Sequence, residues 1–436
     1  MKKIVIIGGG SAGVTAATTI RKKDKNAMIT ILEASRYHTY SLCSLPYLVG
    51  NEIKDINDVE IFDQKFFDEM KINYMLNANA INIDRKNKAV DYNVNGKVRK
   101  IKYDKLVLTI GAEPLIPKIN NLKNYYCLKK KEDAISLRKN ARKNKTALII
   151  GGGIIGIELA MVLRRRGMKV IIIELCDIIL PFLDKDISDI IEKKLEKIGV
   201  KLFKNCKYNI IDDKNIEIHG NKFKYSMIIV TCGVQSNKSL AFGTRLKVKK
   251  GILVNKNMQT EDKDIYAAGD CVEVKGVKNR FEKLATNAVK QGIVAGENIL
   301  GNMITIDDPL NTWVTKLDDL TVGSTGYSQE MLKRKKIKSF SGTISRKITS
   351  KGFPDSRTIT VKIVSDSKGV IKGCQIVGDA EVVGRLNWVA LAIRKKIKVD
   401  DMIKSEIAYN PAVSAIHDPV ILACEILSRK IRRKNG

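Results

Sequence analysis

Two stretches of the chain repeat one arrangement of apolar, small and polar positions. Lys3 to Ile7 is a β-branched apolar run that predicts a strand, glycines stand at 8, 10 and 13, Val14 to Lys22 predicts a helix, and Met28 to Leu32 predicts a strand ending at Glu33. The second stretch repeats this, with a strand at Thr146 to Ile150, glycines at 151, 153 and 156, a helix through Arg166, and a strand at Lys169 to Ile173 ending at Glu174. Tyr103 to Pro114 and Ile228 to Val234 read as strands running into glycine turns, at Gly111 and Gly233, where the chain crosses between domains. Ile265 to Ala268 predicts a short strand with Gly269 and Asp270 at its carboxyl end, followed by a helix over Leu284 to Leu300. From Trp313 the glycine fingerprints stop. Strands are predicted at Leu320 to Val322, Ser339 to Ile344, Thr358 to Val364 and Gly369 to Val377, and helices near Glu381 to Lys395 and Pro411 to Lys430.

The repeated units carry specific chemistry. The first glycine of G-x-G-x-x-G permits a tight turn, the second lets the backbone approach a pyrophosphate, and the third lets helix and strand pack closely. The pyrophosphate then sits on N–H groups at the positive end of the helix. An acid follows the third glycine by 20 residues in one copy (Gly13 to Glu33) and by 18 in the other (Gly156 to Glu174), each at a strand end, placed to accept from an adenosine ribose. Each copy is therefore expected to hold a dinucleotide, the first through Gly8, Gly10, Ser11, Ala12, Gly13 and Glu33, the second through Gly151, Gly153, Ile154, Ile155, Gly156 and Glu174. Asp270 after Gly269 suits a ribityl hydroxyl, and the small residues Ala285, Ala288, Gly292, Ala295 and Gly296 of the next helix are expected to let a flat ring approach, which points to FAD. Glu158, two residues past the second fingerprint, is expected on the nicotinamide side. Glu174 is followed by Leu175 and Cys176 with no adjacent Arg or Lys, so a 2′-phosphate would face a bare carboxylate, and NADH is expected over NADPH.

Composition narrows the picture. A chain of 436 residues that is 44% hydrophobic is long enough for several cores. The apolar run at the N-terminus is too short for a signal peptide, and the longest apolar stretch, Ala147 to Leu163, is broken by glycines and Glu158, so no membrane span is expected. Eight cysteines show no C-x-x-C and no paired spacing, which speaks against a disulfide framework and against a metal site and fits a cytoplasmic protein. The formal net charge of +31 alone suggests a polyanion partner. Lysine is nevertheless spread along the chain, with short clusters such as Lys129-Lys130-Lys131 read as solvated helix faces, so no nucleic acid is expected and a basic scaffold protein is the weaker alternative.

The order and spacing of Gly8 to Gly13, Tyr103 to Pro114, Gly151 to Gly156 and Tyr266 to Asp270 resemble the pyridine nucleotide-disulfide oxidoreductases over essentially the entire chain. Ser41-Leu42-Cys43-Ser44-Leu45-Pro46-Tyr47 resembles their single-cysteine branch of coenzyme A disulfide reductases, NADH oxidases and peroxidases, and CoA-dependent persulfide or polysulfide reductases, as do Tyr409-Asn410-Pro411 and Asp418-Pro419. The resemblance implies an α/β fold of two Rossmann-like dinucleotide-binding domains plus a C-terminal α+β dimerisation domain. The expected boundaries are 1–112 with 245–312 for FAD, 113–244 for NAD(P)H, and 313–436 for dimerisation. It also implies a homodimer in which a tyrosine, here Tyr409, reaches the partner's thiol. The chain departs from the dithiol enzymes, because His38 and Leu48 occupy the positions where a second cysteine would complete C-x-x-x-x-C, and Asn410-Pro411 replaces a His-Pro pair. Ser11 stands where many oxidases and peroxidases carry a histidine, and Phe353 lies in the stretch where some coenzyme A disulfide reductases carry a second tyrosine.

Cys43 is the expected redox thiol, just ahead of Pro46, a residue suited to a first helical turn whose amides favour a thiolate. Tyr409 is the expected proton donor to a leaving thiolate. Arg21, Lys22 and Ser41 are expected on the substrate side, the two cations facing the phosphates of coenzyme A as a third ligand. Cys232 and Cys271 read as packing cysteines. The expected reaction is NAD(P)H-dependent reduction of a small disulfide, persulfide or polysulfide, with reduction of oxygen or peroxide as the runner-up.

Overall fold

A computed structural model of the chain describes residues 1–277, 282–349, 357–379 and 381–435. Phe353 lies outside them. The chain divides into two compact units.

The first unit comprises Met1–Pro117, Leu128–Arg138 and Gly233–Pro309. Its centre is a parallel sheet of five strands in the order Ile265–Ala267, Lys105–Leu108, Lys3–Ile7, Met28–Leu32 and Ile72–Met75. The central strands are unbroken aliphatic runs because both faces are covered; Ile4, Ile6, Leu106 and Leu108 are fully buried. Helices Ser11–Lys23 and Ala285–Ile299 pack on this sheet and on each other. A three-stranded antiparallel sheet, Asn79–Asp84, Ala89–Val94 and Lys97–Lys102, is added. Beyond the two glycine turns, Ala112–Pro114 pairs antiparallel with Val234–Ser236.

The second unit comprises Lys118–Cys127, Lys139–Cys232 and Leu310–Gly436. It repeats the theme with a parallel sheet in the order Val200–Lys204, Lys169–Glu174, Thr146–Ile150 and Met227–Val230, the helix Ile154–Arg165, and a three-stranded antiparallel sheet over Tyr208–Ile210, Asn215–Ile218 and Asn221–Lys224. It also holds a five-stranded antiparallel sheet in the order Trp313–Leu317, Leu320–Gly326, Ile371–Gly378, Thr358–Asp366 and Ser339–Lys347, backed by helices Val382–Arg394 and Pro419–Asn435. The segments predicted as separate nicotinamide and dimerisation domains thus fall largely in one unit. A buried cluster links them: Asp184 pairs with Lys362 at 3.1 Å and accepts from the Gln375 side chain at 2.8 Å and from the backbone of Gln329 and Glu330.

The final helix differs from its predicted span. Pro411 lies in an exposed turn closed by Ser414 N–H onto Asn410 O at 2.8 Å, and the helix begins at Pro419. Asp418 sets that start, its carboxylate accepting from Val420 N–H at 2.8 Å and from both Nε and Nη2 of buried Arg385.

Candidate functional site

The two glycine loops are built alike, atom for atom. Gly8 and Gly151 have φ of +102° and +112°, and a Cβ on either would meet the carbonyl oxygen of Thr109 or Thr231 at 2.4 and 2.6 Å. A Cβ on Gly13 or Gly156 would lie 2.0 or 2.1 Å from the carbonyl oxygen of Gly8 or Gly151. The middle glycines differ: nothing lies within 4 Å of a Cβ on Gly10 or Gly153. Each of these two caps its helix with no side-chain hydrogen bond, so the first-turn N–H groups of Ser11, Ala12 and Gly13, and of Ile154, Ile155 and Gly156, have no intrahelical acceptor and face that open space. Thr109 and Thr231 complete the parallel, their hydroxyls donating to Gly8 O at 2.8 Å and Gly151 O at 2.9 Å. Both threonines stand two residues before Gly111 or Gly233, a T-x-G repeat that is visible in the sequence, although its threonines are not among the expected site residues.

The acids clasp the loops. Glu33 accepts from Gly9 N–H and Ser35 N–H, both at 2.7 Å; Glu174 accepts from Gly152 N–H at 2.7 Å and Cys176 N–H at 2.8 Å. The clasp fixes each carboxylate at the mouth of its loop, with a second lone pair on each oxygen left for ribose hydroxyls.

In the first unit Gly269 closes the cradle, its missing Cβ lying 3.0 Å from Ala12 Cβ and 3.7 Å from Ala288 Cβ, while its N–H donates to buried Gln291 at 2.6 Å. The main-chain oxygen of Asp270 accepts from Lys283 Nζ and Ser236 Oγ, both at 2.8 Å, and its carboxylate lies 3.9 Å from Lys129 Nζ. Gln291, Lys283 and Lys129 were not singled out by sequence, since a lysine in a lysine-rich chain carries no signal. The small-residue stripe also needs correcting. Ala285 is exposed at the first turn, but Gly292 and Gly296 are small for a neighbouring helix: their added Cβ atoms would lie 2.5 Å from Ala12 O and 3.0 Å from Ala16 O.

Cys43 is exposed in a single 3-10 turn, Leu42–Ser44, leading into the short helix Leu45–Val49 with Pro46 in its first turn. Half-buried Ser41 caps that turn, and its N–H donates to Val59 O at 2.8 Å. The preceding loop is tied to the first cradle, where Thr39 Oγ1 donates to Gly9 O at 2.8 Å. All eight cysteines are thiols. Burial pushes Cys271 up to about 12; burial first, and then the Glu174 charge, push Cys232 up to about 11, so neither is a ready nucleophile.

Arg21 is a correction. It is 6% exposed, and its guanidinium donates all five hydrogen bonds to main-chain oxygens, Nε to Met70, Nη1 to Asp24 and Lys25, and Nη2 to Ala27 and Lys71. It fastens the end of the first helix and has no donor left for a phosphate, whereas Lys22 is exposed. Tyr409 is half exposed, in the second unit.

Glu158, in the second unit, accepts a hydrogen bond from Thr315 Oγ1. Burial pushes its carboxyl up to about 7, against that hydrogen bond. A carboxyl that ionises less readily folded than unfolded gives its full stability below the unfolded value and loses it as pH rises, until the folded value is passed. Relative to Glu158→Gln, the protein is therefore expected to lose on the order of 3 kcal/mol between about pH 4.5 and pH 7 and nothing further above. Thermal melts of the two proteins from pH 5 to pH 8.5 read this as a Tm gap of several degrees that opens and levels off; a gap independent of pH refutes it.

Two cradles of this design, one continued by an Asp270 site and sharing its unit with an exposed thiol, define a protein that handles two dinucleotides. A sequence profile described as pyridine nucleotide-disulphide oxidoreductase matches residues 2–292, and the dimerisation domain of the same family matches 314–419. The chain belongs to the pyridine nucleotide-disulphide oxidoreductases, flavin enzymes that use NAD(P)H. It is 34% identical to a protein named NADH oxidase from Methanocaldococcus jannaschii, over 99% of this chain and 100% of that protein. It is 29% identical to a protein from Pyrococcus horikoshii named NAD(P)H coenzyme A polysulfide/persulfide reductase, over 98% of each. Among solved structures, an NAD-dependent persulfide reductase from A. fulgidus superposes with a TM-score of 0.93 at 30% identity, covering 99% of this chain and 84% of that one. The residues fit the cofactors: Gly10 and Gly153 leave open space where a Cβ would meet nothing. No helix among the described residues is long and apolar enough to cross a membrane.

Proposed function

We propose that this chain reduces a low-molecular-weight sulfur compound, a coenzyme A disulfide or a CoA persulfide or polysulfide, through Cys43. The observation that carries the reading is the exposed thiol of Cys43 in a turn tied through Thr39 to the first glycine cradle. On this reading Gly8, Gly10, Gly13, Glu33, Gly269 and Asp270 hold FAD, and Gly151, Gly153, Gly156 and Glu174 hold the nicotinamide dinucleotide. The uncompensated Glu174 favours NADH.

Bound FAD supplies the two-electron relay between nicotinamide and sulfur. The Cys43 thiolate attacks one sulfur of RS–SR, forming a Cys43 mixed disulfide and expelling RS⁻, which takes a proton from Tyr409 of a second copy. The electron pair then breaks the mixed disulfide, returning the Cys43 thiolate and releasing the second thiol. The sum is NADH + H⁺ + RSSR → NAD⁺ + 2 RSH; a persulfide gives one thiol and H₂S. The homodimer is part of this proposal, since Tyr409, half exposed in its own chain, acts across the dimer.

The relative named NADH oxidase favours a second reading, in which oxygen or peroxide accepts the electrons. Anaerobic turnover with coenzyme A disulfide, coenzyme A persulfide and polysulfide, against aerobic NADH consumption alone, separates the two. The expected result is sulfur-dependent turnover faster with NADH than with NADPH, and a mass loss of one coenzyme A from the purified protein on thiol reduction. Turnover with oxygen alone, and an unchanged mass, sink the sulfur reading.

A further inference from the structure

Of the three consecutive lysines at 129–131, the last does not behave as a surface residue. Lys131 is fully buried at the start of the helix Lys131–Asn140. Its ammonium donates to Glu60 Oε1 at 2.7 Å and sits 4.2 Å above the centre of the Tyr37 ring. Its backbone N–H donates to Tyr40 Oη at 3.2 Å. Burial pushes the Tyr40 hydroxyl up to about 12. Tyr37 and Tyr40 are themselves in edge contact, ring centres 6.3 Å apart. The two residues that Lys131 joins face each other, because Tyr40 and Glu60 form an isolated antiparallel bridge, and the next residue, Ser41, donates to Val59 O. The turn carrying Cys43 begins immediately afterwards.

We infer that Lys131 is a positioning residue for Cys43: its ammonium and backbone N–H grip the two sides of the Tyr40–Glu60 bridge and so hold the Cys43 turn in one place. The physical reason is the cost asymmetry of a buried charge. An ammonium with no exposure has to keep its carboxylate, so Glu60 is held, and with it the end of the 3-10 turn Ile56–Val59 to which Ser41 is bonded. The cation over the Tyr37 ring fixes the loop from its other end. Gripping from inside suits a loop whose reactive atom has to stay exposed, because nothing is placed over the thiol.

The inference rests on the assignment of Cys43 as the reactive thiol, and its test separates the two. The holoenzyme, Lys131→Met and Glu60→Gln are reduced with dithiothreitol, desalted anaerobically and treated with iodoacetamide, and labelling of each cysteine is followed by peptide mass. Cys43 labelling is expected to slow at least fivefold in both variants, because a loosened turn no longer holds an already exposed thiol at the first-turn amides that favour its thiolate, with exposed Cys176 as an unchanged internal reference. Turnover is expected to fall at least tenfold in kcat, with the KM for NADH within twofold. Should Lys131→Met not fold, Glu60→Gln, whose carboxylate is partly exposed, carries the measurement. Cys43 labelling within twofold of the parent despite a lowered Tm overturns the inference and leaves Lys131 a packing residue. Turnover that survives Cys43→Ser instead removes the sulfur chemistry, while the labelling ratio still decides the grip.

Discussion

Cys43→Ser is expected to abolish sulfur-dependent turnover, lowering kcat at least 1000-fold with both coenzyme A disulfide and polysulfide, while NADH still bleaches the flavin of the variant in a single anaerobic turnover. A hydroxyl is a far weaker nucleophile at neutral pH and forms no mixed disulfide, so the covalent half of the cycle has no substitute, and a 1000-fold loss corresponds to about 4 kcal/mol of transition-state stabilisation. Four of the other seven thiols are poorly suited to replace it. Cys271, Cys374 and Cys424 are buried with their thiols pushed up by burial, and Cys232 is held up by burial and by Glu174. Stopped-flow absorbance measures the flavin step and thiol release measures turnover. Preserved disulfide reduction in the variant would end the case for this residue.

The second large effect distinguishes two glycines three residues apart. Gly13→Ala is expected to yield little folded protein or a Tm at least 10 °C lower, because its methyl lies 2.0 Å from Gly8 O and 2.7 Å from Thr109 Oγ1, in a seam where strand and helix are both backbone-locked. Gly10→Ala meets no protein atom within 4 Å and starts from φ −75°, which alanine adopts freely. Its apoprotein is expected to melt within a few degrees of the parent, after an N-cap cost of roughly 0.5–1 kcal/mol. Its affinity for FAD is expected to fall at least tenfold, because the methyl occupies the space a pyrophosphate needs. Flavin fluorescence titration of the apoproteins reads this directly, and equal FAD affinity for Gly10→Ala and the parent would mean that the open space is not the cofactor's.

The sequence made the cradles legible because their constraints are backbone constraints. A positive φ at Gly8 and the lack of room for even a methyl at Gly13 leave only glycine, and the run of aliphatic residues at Ile4 to Ile7 belongs to a strand covered on both faces. The antiparallel sheets at 79–102 and 208–224 were not legible, since strands such as Lys97–Lys102 expose nearly every residue and offer no apolar alternation. Sequence places the helix start at Pro411 rather than Pro419 because both prolines suit a first turn and each follows a good capping residue, Asn410 or Asp418; what separates them is buried Arg385, distant in sequence, which holds Asp418. Buried Lys131 and Arg21 share one cause of failure. Their burial depends on acceptors far along the chain, Glu60 for one and Met70 and Lys71 for the other, and no local pattern marks a cation whose partners are elsewhere.

The seam between helix 11–23 and helix 285–299 joins pieces of chain made at opposite ends of a long stretch of synthesis. The strand Ile265–Ala267, at the edge of the same sheet, arrives late too. When about the first 110 residues have left the ribosome, Ala12, Ala16 and Leu106 still lack the surface that will cover them. The nascent first unit therefore waits with an apolar flank open for well over a hundred residues of elongation. A holdase that shields such flanks would find its longest window of opportunity there.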